Sequence, residues 1–333
     1  MAGVDLETFR FDYDLTFSAL LMNADGTIYH TFGGRTWESA DKYLFEPAFI
    51  RVLEQTTVEH AAYQKAPKPP TKHPIRTIED LPAARKRLEA GQKADCYHCH
   101  TVHDFMTEGA RDAKRFRMED VFRWPDPIQI GLTLDPEDQA LIVSVEPDSP
   151  AAGIGLRAGD RLLFINEQSI LTFGDVQRAL HNELPKKTTV AVRWQRDDSP
   201  MLANMLLGSE WKVPTPLAFS WRPSKWPLTP KPGFGGPRLT RAELEAEGLS
   251  RDAFAFRINY FVTWGPTAHV GRNATEAGLR EGDVVYSLDG KDDFESVDHF
   301  HSWFRLTRKV GQEVKVAVVR EGSRLTVKLP VIE

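Results

Sequence analysis

The sequence is poor in cysteine, and both of its cysteines lie in one short motif. Two Cys occur among 333 residues, which also contain 22 Pro and 23 Gly. A framework of several disulfides, by which many small secreted domains compensate for a small core, is therefore excluded. Runs of apolar residues long enough to span a bilayer are lacking as well, so the sequence predicts no transmembrane segment. The role of the two cysteines must therefore be inferred from their spacing.

The chain also lacks a charge excess and a recognisable hydrolase motif. Forty-two Lys and Arg stand against 47 Asp and Glu, for a net charge of -5 without a basic block. This balance argues against nucleic acid and anionic membranes as partners. A Gly-x-Ser-x-Gly or similar nucleophile turn is absent, and so is a segment that could form a protease barrel. Whether the chain is an enzyme stays open, and the sequence favours a protein that is not an enzyme by itself.

The motif that carries chemistry is Cys96-Tyr97-His98-Cys99-His100. Cys-x-x-Cys-His is the spacing at which two thiols add to the vinyl groups of a haem while the following His ligates the iron. We therefore predict haem c as cofactor, with Cys96 and Cys99 as thioether anchors and His100 as the proximal ligand. Met118 is the predicted second axial ligand, and an open sixth position is the alternative.

Three other interpretations of the two cysteines remain. Zinc could be held by both thiols and two of His98, His100 and His103. A thioredoxin-type redox pair expects a strand before the motif, but residues 78–90 have the pattern of a helix. A plain disulfide or two free thiols would leave the histidine after the second cysteine unexplained.

The predicted cofactor and the N-terminus point to different compartments. Residues 1–5 have neither the basic nor the apolar region of a signal peptide, so the chain as written is expected in the cytoplasm. Covalent haem attachment takes place outside the cytoplasmic membrane and needs an exported protein. We expect a periplasmic or exported protein if the true N-terminus lies upstream of Met1.

Residues 1–64 have the pattern of a strand, an Asp-Gly turn, a second strand and a helix. The strands are expected at 11–22 and 27–32, and the helix is expected to continue to Tyr63. This order is the C-terminal half of a thioredoxin-like fold. A proline-rich linker follows at 65–76, and a small helical segment with the cysteine motif follows at 77–125.

From residue 126 the pattern looks like a bacterial PDZ domain. Strand-like stretches flank Ala151-Ala152-Gly153-Ile154-Gly155-Leu156-Arg157-Ala158-Gly159-Asp160, and a related pattern returns at Glu276-Ala277-Gly278-Leu279-Arg280-Glu281-Gly282-Asp283. Two PDZ-like β-barrel modules are therefore expected at 126–210 and 251–333, joined by a Trp- and Pro-rich connector at 211–250.

A peptide-binding site is expected in the first module. PDZ domains bind peptide C-termini as an added strand, and backbone amides of the loop before that strand take the carboxylate. In the first module this loop is Ile130-Gly131-Leu132-Thr133, which contains the glycine that such a loop needs. The corresponding stretch of the second module is expected at 254–259, where glycine is absent, so that module is expected to be a structural copy.

Taken together, these segments resemble the bacterial thioredoxin/PDZ domain-containing (seleno)protein family. The resemblance implies an α+β multidomain protein with a partial thioredoxin-like α/β unit, a helical cysteine segment and two PDZ-like modules. It also implies an exported, redox-associated role, so we expect electron transfer or redox sensing with a redox partner. The alternative is a non-enzymatic PDZ scaffold that binds protein C-termini, with Cys96 and Cys99 in a zinc site or free.

Overall fold

The computed structural model describes residues 1–67, 73–93, 97–183 and 186–333. It divides the chain into two compact units, Met1–Pro214 and Thr215–Glu333. Among the described residues, none of the helices combines the length and apolar character needed to cross a bilayer. The finer segment boundaries expected from the sequence stay predictions.

The N-terminal elements are a hairpin and a helix. Strands β1 (Ala19–Met22) and β2 (Ile28–Phe32) pair antiparallel, and α1 (Glu46–Lys65) follows with Pro47 in its first turn. The strand expected from residue 11 begins only at Ala19. Asp12 causes this, because its carboxylate and its carbonyl accept the amides of Asp14 and Leu15 and close a turn.

A thioredoxin fold is not shown, because the hairpin packs on another element instead of extending its own sheet. Among the described residues its sheet has two strands. Thr31 donates its amide to Asp175 over 2.8 Å, and the Thr172 hydroxyl donates to the Thr31 carbonyl over 2.6 Å. A side chain at Gly174 would collide with that carbonyl. The hairpin is therefore fitted to the region around Gly174, which belongs to the first PDZ-like module.

Two shorter helices precede the first module. Helix α2 (Pro82–Glu89) packs against α3 (Cys99–Asp112), and both contribute to a small core with the N-terminal residues Leu6 and Tyr13. Gly91, with φ of 88°, lies just beyond the end of α2. The helix expected at 78–90 is thus present, with a 3-10 turn at Ile78–Asp80 before it.

The rest of the first unit is the first module. Its elements are β3 (Leu132–Leu134), β4 (Ile142–Val145), α4 (Pro150–Gly153), β5 (Arg161–Ile165), β6 (Gln168–Ser169), α5 (Phe173–His181), β7 (Thr188–Arg196) and β8 (Ser199–Leu207). The strands form a sheet of order β6-β5-β7-β8 and a separate β3-β4 pair. Inward-facing Val190, Val192 and Trp194 alternate along β7 and fill the core.

The second unit repeats this arrangement with insertions. Its elements are α6 (Pro216–Phe219), β9 (Phe234–Gly235), α7 (Arg241–Ala246), β10 (Phe256–Arg257), β11 (Tyr260–Phe261), α8 (Ala268–Glu276), β12 (Val284–Leu288), α9 (Val297–Thr307), β13 (Glu313–Arg320) and β14 (Ser323–Pro330). A sheet of order β10-β12-β13-β14 stands beside a separate β11-β9 pair. The described strands of both units form open sheets and pairs, so the expected closed barrel is not shown. The coarser expectation, a mixed α+β protein, is correct.

Candidate functional site: two strand-and-helix grooves

The loop expected to bind peptide in the first module lies where a 3-10 turn meets β3. The turn, Pro127–Ile130, ends at Gly131, whose φ of 85° is costly for any residue with a side chain. A Cβ at Gly131 would also collide with the Ser149 side chain. Ile130 and Leu132 are buried in the module core, whereas Thr133 is half-buried. The glycine is thus required by the fold of the loop.

Strand β3 and helix α5 border one groove. Strand β3 pairs with β4 along one edge. Beyond its other edge lies Tyr43, whose hydroxyl donates to the Leu134 carbonyl over 3.2 Å and whose ring stacks on Phe173 of α5 at 4.2 Å. One side chain therefore touches both the outer edge of β3 and the first turn of α5. Tyr43, only 2% exposed, thus fills the place beside β3 where an added peptide strand would lie.

The second module has a glycine loop of the same geometry, which the sequence interpretation missed. Gly233 has φ of 86°, and its carbonyl accepts from the Val262 amide over 2.8 Å. In the first module the Gly131 carbonyl accepts from the Glu146 amide over the same distance. Strand β9 follows Gly233 and pairs with β11 as β3 pairs with β4. The loop is therefore Pro232-Gly233-Phe234-Gly235.

Conserved contacts elsewhere in the two modules fix this equivalence. In the first module Arg196 donates to both the Asp160 carboxylate and the Gly155 carbonyl. In the second module Arg320 donates in the same way to Asp283 and Gly278. The placement of the second loop at 254–259 was thus wrong. The helix α7 and its flanking residues are inserted between the real loop and that stretch, which displaced the expected position.

The groove helices begin at equivalent caps but differ at their third residue. The Thr172 hydroxyl caps α5 by accepting the Asp175 amide, and the Ser296 hydroxyl caps α9 by accepting the His299 amide. In α5 this third residue is the carboxylate that accepts from Thr31 of the hairpin. In α9 the third residue is His299, which has no carboxylate with two oxygens to accept hydrogen bonds.

Asp175 also takes part in a buried charge cluster. The His30 ring lies 2.8 Å from the Asp175 carboxylate through Nδ1 and 3.1 Å from Glu59 through Nε2. Burial alone would lower the pKa of His30, but the hydrogen bonds to Asp175 and Glu59 outweigh it and raise the pKa to about 9. Because both ring nitrogens face carboxylates, the charged His30 holds β2 to α1 and α5, and we call this contact the hairpin clamp. Neither nitrogen is left to activate a hydroxyl.

The cysteine motif lies at the start of α3, and Cys96 falls outside the described residues. Cys99 is a half-buried free thiol beside the core of Tyr13, Val102 and Phe105, whereas His100 is exposed. Met118 begins a 3-10 turn after α3. Within the described ranges, three or more His, Cys, Asp or Glu side chains nowhere gather as a metal site would require.

A cavity of about 700 Å³ adjoins α3, and a haem bound by the motif would need its ligands in the wall of such a cavity. Its wall includes Phe105, Met106 and Arg123 but contains none of Cys99, His100 or Met118. His103, a third candidate for zinc, is buried against Asp14 at 3.5 Å. The described residues therefore show no fit to a haem ligated by His100 and Met118, and the cofactor stays a prediction from the motif.

Comparisons with known proteins support the PDZ assignment. A model of the PDZ domain matches residues 141–193. A probable periplasmic serine endoprotease DegP-like protein of Marinomonas sp. (strain MWYL1) is 25% identical over 202 residues, which are 60% of this chain and 39% of that protein. A protein of the same description from Brucella suis biovar 1 (strain 1330) is 30% identical over 84 residues, 24% of this chain and 16% of the relative.

The chain thus covers well under half the length of these curated relatives. It contains a PDZ domain and has distant similarity to DegP-like serine endoproteases. Neither comparison supports a thioredoxin fold or a haem site.

Proposed function

We propose that this protein binds the free C-termini of peptides or unfolded proteins in two PDZ-type grooves. The observation that carries the proposal is the repeated geometry of Gly131 and Gly233. Each glycine has a left-handed backbone, precedes a short strand, and accepts an amide from the residue just after the partner strand, Glu146 or Val262. A glycine turn before a sheet edge is the arrangement by which PDZ domains hold an added strand and its carboxylate.

The location and the class of activity follow from the comparisons by analogy. These relatives are described as periplasmic serine endoproteases, and we propose a periplasmic location for this chain. We propose peptide binding as the activity, because residues 141–193 match a PDZ domain and PDZ domains bind peptide C-termini.

The test is binding of fluorescein-labelled heptapeptides to the intact protein, followed by fluorescence polarisation. An array of varied sequences with free C-termini would be paired with the same sequences carrying C-terminal amides. We expect some free-carboxylate members to bind at least tenfold more tightly than their amidated partners. Equal binding of both forms, or binding of neither at high protein concentration, would contradict a PDZ-type site.

A second proposal, covalent haem, rests on the spacing of Cys96, Cys99 and His100. If attached, the haem would supply one-electron redox chemistry, with the thiols as anchors and His100 as ligand. Intact mass and optical spectrum of protein exported in a host with haem maturation would test it. A haem-sized mass increase that disappears in a Cys96→Ala, Cys99→Ala variant is expected. An unchanged mass would reject the proposal and leave zinc or free thiols.

A further inference from the structure

The two glycine loops are preceded by a second repeated motif. Residues 123–126 read Arg-Trp-Pro-Asp and residues 225–228 read Lys-Trp-Pro-Leu. In both modules the tryptophan precedes the loop glycine by seven positions, from Trp124 to Gly131 and from Trp226 to Gly233. We call residues 123–126 the first lid and residues 225–228 the second lid. The repeat places the same aromatic residue at the same distance from each groove.

The first lid covers the side of α5 that lies toward the groove. Phe173, Gln177 and His181 recur at intervals of four residues and so share one face of α5. Tyr43 stacks on the first of them. Gln177 donates to the Asp126 carboxylate over 2.8 Å. Phe173 and Gln177 are therefore both covered by residues of the same chain.

Trp124 completes this cover. Its ring lies parallel to the His181 ring, with centroids 3.9 Å apart, and the adjacent Arg123 carbonyl accepts a hydrogen bond from the same imidazole over 2.5 Å. Trp124 is only 5% exposed. The whole groove face of α5 is thus covered by residues of the same unit, and a peptide cannot reach it while the lid is in place.

The second lid makes the equivalent contacts on α9. His301 and Arg305 occupy the positions that Gln177 and His181 hold in α5, counted from the capping residue. The Trp226 ring packs edge-on against His301 at 5.2 Å, and the Arg305 guanidinium lies 5.2 Å from the same ring. Lys225 pairs with Asp298 at 3.0 Å. Trp226 is 43% exposed, although His301 and Arg305 beneath it are only 4% and 5% exposed and α6 packs on α9 as well.

We propose that the two Trp-Pro lids are internal occupants of the grooves and that a peptide must displace them to bind. The proposal rests on the proposed function, since it describes how that same site is regulated. When only a fraction of molecules has an open groove, the apparent affinity falls by that fraction. The second tryptophan is displaced more readily than the first, because less of its ring is buried.

The experiment compares intact protein with Trp226→Ala and a matched control, Trp264→Ala, at another exposed tryptophan of the second unit that is 59% exposed. Hydrogen exchange of the α9 amides is measured by mass spectrometry. The same proteins are titrated with the fluorescein-labelled free-carboxylate heptapeptides. We expect at least tenfold faster exchange in α9 and at least threefold tighter peptide binding for Trp226→Ala, with the control unchanged.

Each other outcome has a distinct meaning. Unchanged α9 exchange, or peptide binding that weakens in Trp226→Ala, would overturn the lid and show that the tryptophan only supports the module. Faster exchange without binding of any peptide would reject the proposed function, and with it the displacement of the lid by peptide. If Trp226→Ala binds peptide with the same affinity as the intact protein, the lid is rejected and the proposed function stands.

The first lid is tested by a milder change, because Trp124→Ala risks unfolding the first unit. Trp124→Phe keeps a ring on His181, and Asp126→Ala removes the bond to Gln177 and leaves Trp124 in place. We expect both to speed exchange in α5, relative to a Trp37→Ala control at a tryptophan that is 39% exposed. Unchanged exchange in both folded variants would overturn the first lid.

Discussion

The two modules share a backbone but differ in what is packed on their groove helices. Helix α5 carries a buried hairpin at Asp175, a stacked Tyr43 at its first turn and a buried Trp124 near its end. Helix α9 has His299 in place of that carboxylate and a half-exposed Trp226. The comparison shows that two modules can share the same groove backbone while other residues of the chain determine how accessible each groove is.

The largest expected difference between the modules is how much each tryptophan contributes to the free energy of unfolding. Replacing Trp124 by Ala should lower the free energy of unfolding by about 3–5 kcal/mol, because a buried ring is lost and leaves a cavity. Trp226→Ala should lower it by about 1–2 kcal/mol, because much of that ring is already in water. Calorimetric unfolding of the intact variants measures both, and equal losses would remove the asymmetry.

The hairpin clamp on α5 should show a marked pH dependence. The pKa of His30, raised to about 9, lies above its unfolded value of about 6.5. Its contribution, about 3 kcal/mol, is complete below pH 6.5 and is lost as the pH rises through about 9. Urea unfolding of His30→Gln beside wild type at pH 6 and pH 10 tests this, with the exposed His73→Gln as control. A loss of equal size at both pH values would contradict the charged clamp.

Acid should loosen both lids. Burial, and behind it the neighbouring cations Lys212, Arg10 and Arg123, lowers the pKa of His181 to about 3 despite its bond to the Arg123 carbonyl. Since the unfolded imidazole takes up a proton near pH 6.5, stability is complete above that pH and falls as the pH approaches 3. The loss is about 2 kcal/mol at pH 5.

In the second module, burial and behind it the neighbouring Arg305 and Lys225 lower the pKa of His301, which lies against Trp226, so α9 should also lose stability below pH 6.5. Hydrogen exchange of α5 and α9 at pH 7 and pH 5, corrected for intrinsic rates, measures the response of each helix. His181→Phe keeps a ring beneath Trp124 but cannot titrate, so it should abolish the effect in α5 and leave that in α9. If this variant retains the full acid response in α5, another group is responsible.

The smallest expected effect is at the outer edge of β3. Tyr43→Phe keeps the ring on Phe173 but removes the hydroxyl that donates to the Leu134 carbonyl, at a cost of about 1 kcal/mol. Tyr63→Phe is the matched control, because its hydroxyl bonds to Asp25 in an exposed position and its loss should cost less. Chemical denaturation compares the pair, and a larger loss in Tyr63→Phe would contradict the assigned importance of the β3 edge.

The sequence predicted the PDZ module well because glycine turns and buried strands are local signals. The Asp-Gly hairpin, the helix to Tyr63 and the glycine at 131 could all be found in this way. Docking of the hairpin on α5 could not, since it depends on Thr31 meeting Asp175 across a long stretch of chain. The loop at Gly233 was missed because α7 is inserted after it, although the spacing from Trp226 to glycine was available as a signal.

The cysteine motif marks the limit of the sequence argument. Its spacing predicts haem attachment, but the described part of the motif leaves His100 exposed and Cys99 half-buried. Spacing along the chain specifies which groups can react together, whereas a haem site also needs a cavity that only tertiary packing can provide.

The central claim, that the chain's own tryptophans occupy the peptide grooves, is tested most directly by NMR. Proton contacts between the Trp124 and His181 rings, and between the Trp226 ring and Arg305, would be recorded in the free protein and at saturating heptapeptide. We expect both sets in the free protein and the loss of one set, that of Trp226 first, when peptide binds. Persistence of both sets at full peptide occupancy would contradict the claim.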